Sequence, residues 1–310
     1  DEKIESARNF ANKLWNAARF VMMNLEIDRV DLPVADALAL EDKWILTKLN
    51  TLAGTVCQNL DRYEIGVALA NIYDFVWDVF CDWYIELLKP RLSAGDRSAQ
   101  QVIAYVLTET LKLLHPFMPF ITEELWTSLP GTGESIMISQ WPEARPEFAF
   151  DRTAFDAVIE IIKNIRNLRS EMNVPAGKKT DIYIYAPQME KEMISSGTYI
   201  ERLAGGAKVE FLAQKPQKAG EYAAVVCTGA ECFIPLGELV DVQKELARLE
   251  KERDTIKGEI QRANGKLSNK GFVEKAPQKL VEEEKAKIVK YTEMLAKVEE
   301  RVQVLSELQL

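Results

Sequence analysis

Between residues 8 and 19 the chain carries Arg8, Asn12, Trp15, Asn16 and Arg19, with Asn9 and Lys13 beside them. At about 100° per residue the first five share one side of a helix, and Asn9 and Lys13 fall at its margins. A guanidinium offers paired donors to phosphate or guanine. An amide donates and accepts at a base edge, and an indole supplies a face on which an unpaired base stacks. These groups suit single-stranded RNA better than a duplex groove. The same residue types admit another arrangement, in which Trp15 packs beneath a neighbouring helix and the arginines pair with Glu5 and Asp28.

Nucleophilic, acid–base and metal chemistry has little to work with. The one histidine, His115, lies in LLHPFMPFITEELW beside Pro116, and nothing local supplies a nucleophile or a ligand partner. It reads as a structural residue at a helix end. The four cysteines, Cys57, Cys81, Cys227 and Cys232, contain no C-x-x-C pair, so no zinc module or disulfide framework is expected. Neither common nucleotide loop, G-x-x-x-x-G-K-[ST] or G-x-G-x-x-G, occurs. Asp181, Glu210, Glu221 and Glu231 form no evident catalytic constellation. No apolar run approaches the ~18 residues of a membrane span, and the acidic opening DEKIESARNF is no secretory signal. Binding by a cytoplasmic protein is the expectation, without a membrane.

The elements that must position these residues fall into three zones. Residues 1–150 read as a helical bundle, with helices from about Glu2 to Leu25, Ala35 to Leu60, Glu64 to Leu88, Asp96 to Leu114, and a short one after Pro119 capped by Thr122. Phe10, Leu14, Ala17, Val21 and Leu25 turn the first helix toward the others. The third is apolar over much of its circumference, so it should be central, with Pro90 stopping it. The aromatics Trp77, Trp83, Tyr84 and Trp126 stand at core spacing. Prolines and glycines from Pro130 to Pro146 mark a linker or strap. Residues 151–237 read as a small α+β unit: a helix from Phe155 to about Met172, strands DIYIYA and KVEFLA around a helix near 188–203, and a hairpin turning at Thr228–Gly229.

In residues 238–310 apolar residues recur in alternating steps of three and four. Positions 239 to 267 follow this pattern with Arg253 as the polar exception, and positions 281 to 305 follow it with Glu284. Two such seams around the breakers Gly271 and Pro277 predict an antiparallel coiled-coil hairpin, an arm ~43 Å long at 1.5 Å per residue. Such a fold buries its own seam, whereas a homodimerising coil would leave one for a second copy.

Net charge is −9. All of it lies in residues 1–150, which hold 13 Lys and Arg against 22 Asp and Glu; the other two zones are each neutral. Two basic windows stand out. Residues 163–179 hold Lys163, Arg166, Arg169, Lys178 and Lys179; residues 262–279 hold Arg262, Lys266, Lys270, Lys275 and Lys279. Either is a solvated surface or an RNA contact.

Four segments, ARNFANKLWNAARFV, LLHPFMPFITEELW, IRNLRSEMNVPAGKK and KLSNKGFVEKAP, resemble in content and order the C-terminal region of bacterial valyl-tRNA synthetases. The last, with its heptads, is the most specific; Lys270 departs from the acidic residue the resemblance leads one to expect there. The resemblance implies an anticodon-binding bundle over 1–150, a connector over 151–237 and a tRNA-binding arm over 238–310. It implies anticodon contacts by Arg8, Asn9, Asn12, Lys13, Trp15, Asn16 and Arg19, and secondary contacts by Arg166, Arg169, Lys178 and Lys179. Arm contacts would come from Arg262, Lys266, Asn269, Lys270, Phe272 and Lys275. The class I signatures HIGH and KMSKS are absent as strings. The implied parent enzyme attaches valine to tRNA(Val) with ATP and Mg, while this portion carries no cofactor and no chemistry. A monomer that binds no DNA is expected. The alternative is a coiled-coil scaffold for protein partners, without RNA binding.

Overall fold

The structure, a computed structural model, describes residues 2–217, 221–239, 242–268 and 278–307. Helix predominates beside one four-stranded sheet. The chain forms two compact units, Asp1–Asp156 and Ala157–Leu310.

Unit 1 contains α1 (Glu2–Met23), α2 (Leu40–Asp61), α3 (Ile65–Asp74), α4 (Ile85–Ser93), α5 (Arg97–Leu114) and α6 (Pro119–Thr127). A π-helical stretch, Phe75–Tyr84, joins α3 to α4 without a break. The apolar stripe of α1 behaves as its spacing dictates: Phe10, Leu14, Ala17, Ala18 and Val21 are buried. The centre, however, is α5 rather than the 65–93 rod. Every residue from Val102 to Thr108 is buried, and α5 packs against each of the other five helices. Small and β-branched residues around its circumference let neighbours approach from all sides, a property that one apolar stripe does not reveal.

Pro90 does not stop its helix, which runs on to Ser93. In the last turn the missing N–H costs one bond, and three further residues place Leu92 in the core and Arg91 against two carboxylates. The stop comes at Gly95, whose φ of +72° is left-handed. Its N–H bonds Leu92 O at 3.0 Å, and that of Asp96 bonds Arg91 O at 3.0 Å, a Schellman ending. Asp96 then caps α5, its Oδ1 accepting from the N–H groups of Ser98 (2.9 Å) and Ala99 (3.2 Å). Arg91 also reaches Glu41 and Asp42 at 2.7 Å each and Asp96 at 2.8 Å, tying α4 to α2 and α5.

Thr122 is likewise not the cap of α6, which begins at Pro119 after Met118. It lies one turn inside, buried, its hydroxyl donating to Met118 O at 2.8 Å and so accepting from His115 Nδ1 at 2.7 Å. Proline at the first helical position explains the earlier start. The strap 130–148 packs back onto the bundle: Ile136 and Phe148 are buried, and Trp141 Nε1 donates to Cys57 Sγ at 3.2 Å.

Unit 2 receives α7 (Thr153–Glu171), which packs on a mixed sheet of β1 (Thr180–Tyr185), β2 (Gly206–Phe211), β3 (Tyr222–Cys227) and β4 (Ala230–Pro235) in the order β2-β1-β4-β3. The β1–β2 pair is parallel and the others are antiparallel. The helix expected near 188–203 is two, α8 (Glu190–Ile194) and α9 (Gly197–Ala204), parted at Ser195–Ser196. After a short α10 (Leu236–Leu239) come α11 (Val242–Ser268) and α12 (Gln278–Glu307). These two pack along each other in opposite directions. Lys257 meets Glu299 at 2.8 Å, and Lys266, further along α11, meets the earlier Glu284 at 3.0 Å. Leu249, Ile256 and Val298 form the buried core, flanked by Ile260, Tyr291, Leu295 and Val302. No described helix is long and apolar enough to cross a membrane.

Candidate nucleic-acid interface

Burial of the Phe10–Val21 stripe turns the polar face of α1 outward. Arg8, Asn9, Asn12, Trp15, Asn16 and Arg19 are all exposed, Trp15 by 43%. Trp15 therefore does not pack beneath a neighbour. Arg8 pairs with Glu5 at 3.5 Å, but both side chains are 66% exposed, so solvent weakens the pair to well under 1 kcal/mol. Among the described residues, no hydrogen bond or ion pair engages the side chains of Asn9, Asn12, Trp15, Asn16 or Arg19.

The face divides in two. Asn9, Asn12 and Asn16 line one wall of a groove of about 470 Å³, whose other wall is Cys81, Ile85 and Lys89, with Phe20 at one end. Arg8, Trp15 and Arg19 lie outside it. Lys13 also lines the groove but is not free: its Nζ sits 2.7 Å from Asp82 and 3.8 Å over the Trp77 ring. The π-helical stretch makes this possible. Its i→i+5 bonding brings residues five apart, here Trp77 and Asp82, onto one face, where a single lysine meets both. Trp77 in turn stacks on Tyr73 (5.6 Å) and Tyr73 on Phe10 (4.6 Å), an aromatic ladder that ties the wall to α1. Trp77 is thus half-exposed and supports Lys13 from below, while Trp83, Tyr84 and Trp126 are core.

Sequence reasoning missed Phe20, Cys81, Ile85 and Lys89. Ile85 and Lys89 stand at an i, i+4 spacing that could have been read, but the π turn before them shifts the phase of every upstream residue.

Of the basic window 163–179, Arg166 and Lys179 are exposed and Lys178 is half-buried. Arg166 Nε donates to Leu203 O at 2.6 Å. Arg169 is a correction: at 7% exposure it faces inward, where its guanidinium bonds Thr180 Oγ1 at 3.2 Å, Gly205 O at 3.5 Å and Lys178 O. Burial holds it below the usual arginine value, and what it binds is this loop rather than RNA. Of the arm residues, Arg262 and Lys266 are exposed on α11, paired with Glu259 at 2.7 Å and Glu284 at 3.0 Å. Asn269, Lys270, Phe272 and Lys275 lie outside the described residues. His115 Nε2 sits 3.0 Å from Met137 Sδ, closing a local contact. Among the described residues no cluster of His, Cys, Asp or Glu could hold a metal ion.

Residues 42–184 match the anticodon-binding domain of tRNA ligases, which places the chain in that class of RNA-recognising proteins. Residues 241–306 match the valyl tRNA synthetase tRNA binding arm. Valine–tRNA ligase of Clostridium acetobutylicum is 46% identical over 98% of this chain. Those of Clostridium perfringens and Bacillus subtilis are 46% and 40% identical over 98% and 97% of it. The chain belongs to the valine–tRNA ligase family. It spans about 35% of the length of these relatives.

Proposed function

We propose that this chain is the tRNA-binding C-terminal portion of a valine–tRNA ligase, a cytoplasmic class I enzyme that attaches valine to tRNA(Val) with ATP and Mg. Activation, transfer and editing belong to the remainder of that enzyme, and this portion holds and orients the RNA without a cofactor. Residues 1–150 bind the anticodon region through Arg8, Asn9, Asn12, Trp15, Asn16 and Arg19, with Lys13 bracing the groove. Residues 151–237 connect, and Arg166, Lys178 and Lys179 add phosphate contacts. Residues 238–310 form an antiparallel coiled-coil hairpin that reaches the outer corner of the tRNA through Arg262, Lys266, Asn269, Lys270, Phe272 and Lys275.

The observation that carries this reading is the exposed face of α1, whose amides and indole lack partners. Ordinary surfaces leave such groups in water too, but here three amides line one groove of about 470 Å³. The bundle's net −9 makes nonspecific phosphate attraction weak, so recognition must be local. The seam between α11 and α12 is occupied from within, which favours a monomeric arm over a scaffold that recruits a second coil.

The test is an anisotropy titration of tRNA(Val) against a non-cognate tRNA. Cognate RNA should bind more tightly. Arg8→Ala with Asn12→Ala should weaken cognate binding while changing stability by less than about 1 kcal/mol, as for other exposed sites. Equal binding of both RNAs, or an unaffected double variant, removes the α1 face from recognition.

A further inference from the structure

Two of the four thiols lie side by side on the inner face of the β3–β4 hairpin. The two-residue turn sets the register, with Cys227 opposite Ala230 and Val225 opposite Cys232. Cys227 and Cys232 are therefore diagonal neighbours. The two-residue period of a strand turns both to the same face. That face is buried: Cys227 is 7% exposed and Cys232 0%, whereas the intervening Val226 is 74% exposed. From α7, Asn164 Nδ2 donates to Cys227 Sγ at 3.5 Å, and Glu160 accepts from the N–H of Thr228 at 3.1 Å, so one helix holds both the sulfur and the turn.

The two thiols are not equivalent. Cys227 lines a cavity of about 310 Å³ with Tyr185, Pro187, Gln188, Gly229 and Glu231, while Cys232 does not. Cys227 thus has both an approach through the cavity and a donor, the Asn164 amide, aimed at its sulfur. The hydrogen bond from Cys232, helped by Asn164 and opposed by burial, pulls its thiol below the usual value. That bond and burial push Cys232 well up. A thiol favoured as thiolate, with access and a second thiol beside it on the same buried face of the neighbouring strand, is the arrangement of an attacking and a resolving cysteine.

We propose that Cys227 and Cys232 form a reversible dithiol–disulfide site that reacts with hydroperoxides entering through the 185–231 cavity. The Cys227 thiolate attacks the distal peroxide oxygen. An S–O bond forms, the O–O bond breaks, and the departing oxygen takes up the proton that Cys227 gave up. The Cys232 sulfur then attacks the sulfenic sulfur; the S–S bond forms, the S–O bond breaks, and hydroxide leaves with the Cys232 proton as water. One peroxide is reduced by two electrons, and two thiols become one disulfide that staples β3 to β4.

The test treats the full chain with hydrogen peroxide at neutral pH, quenches with an alkylating agent and maps peptides without reduction. The expected product is one intramolecular link between Cys227 and Cys232, a loss of two hydrogens reversed by dithiothreitol, with Cys57 and Cys81 still alkylated. In Cys232→Ser, dimedone should trap a sulfenic acid at Cys227. In Cys227→Ser, residue 232 should take up no dimedone. Oxidation first at Cys57 or Cys81, with the hairpin thiols left reduced, or links only between molecules, would overturn the proposal. The wild-type map alone decides between these outcomes even where a serine variant fails to fold.

Discussion

At the scale of single residues, unit 1 turns on Arg91. Its guanidinium joins Glu41 and Asp42, which are 2% and 0% exposed, and Asp42 Oδ1 also accepts from the Tyr84 hydroxyl at 2.9 Å. Removing one partner of a buried ion pair strands the other. Arg91→Met should therefore cost about 3–5 kcal/mol, a fall in melting temperature on the order of 10 °C by calorimetry. A loss below 1 kcal/mol would mean that Asp42 and Glu41 reach water or take up protons at little cost. The carboxylates around Arg91 respond to pH with opposite signs. Burial raises Asp42 above its ordinary 3.8, more than Arg91 lowers it. Asp96 is also raised by burial, but Arg91 and the N–H groups of Ala99 and Ser98 outweigh that and hold it below 3.8. Asp96 thus contributes stability that is complete above its unfolded value and fades as pH falls through the folded one; Asp42 penalises the fold as pH rises from 3.8. Asp96→Asn should flatten the loss of stability in the acid range below about pH 4. An unchanged slope in acid-titrated urea unfolding would remove Asp96 from that role.

At the scale of elements, the positions where the chain must turn are sharper tests than the helices themselves. Gly95 and Gly131 both have left-handed φ, +72° and +68°. A Cβ at Gly95 meets nothing within 4 Å, so Gly95→Ala should cost only backbone strain, about 1–2 kcal/mol. A Cβ at Gly131 would stand 2.3 Å from Arg29 Cβ and 2.7 Å from Arg29 Cα. Gly131→Ala must therefore displace the backbone that bonds Val30 N to Pro130 O at 3.2 Å, and should cost clearly more. Equal losses in urea unfolding would contradict that ordering. These elements also show how far sequence alone reaches. The buried face of α1, the strands of the sheet and the facing of α11 on α12 follow from periodicity, because burial of one side dictates it. Pro90 was misread because the rule against proline ignores what three further residues gain. Thr122 was misread because its hydroxyl serves its own turn and His115 instead of the helix start. A basic window does not say which member the fold turns inward, so the burial of Arg169 is not legible in it. The groove beside α1 was half legible: the amides were, and the wall across a π turn was not.

At the scale of the whole chain, charge is distributed so that RNA binding should depend on few cations. Residues 1–150 are strongly acidic, and the described arm cations near the end of α11 are already engaged: Arg262 by Glu259, and Lys266 by Glu284, which Lys287 also approaches at 2.9 Å. Those lysines hold Glu284 below its ordinary value, so it stays anionic well into acid. If the arm meets phosphate, these glutamates compete with the RNA for the same donors. The exposed Arg262–Glu259 pair is worth about 0–1 kcal/mol, so a phosphate backbone displaces it, whereas Glu284 is 8% exposed and keeps a firmer hold on Lys266; both lower affinity and blunt its salt dependence. Glu259→Gln with Glu284→Gln should therefore tighten tRNA(Val) binding and steepen the slope of log affinity against log salt by up to about 2, one for each cation released. Arg262→Ala with Lys266→Ala should move both quantities the other way, and neither pair should alter the discrimination between cognate and non-cognate tRNA proposed for α1. Two sites on one chain reinforce each other by raising local concentration rather than by new contacts, so arm variants should shift all tRNA affinities together. Binding and slope unchanged in both pairs would place this stretch of α11 outside the interface.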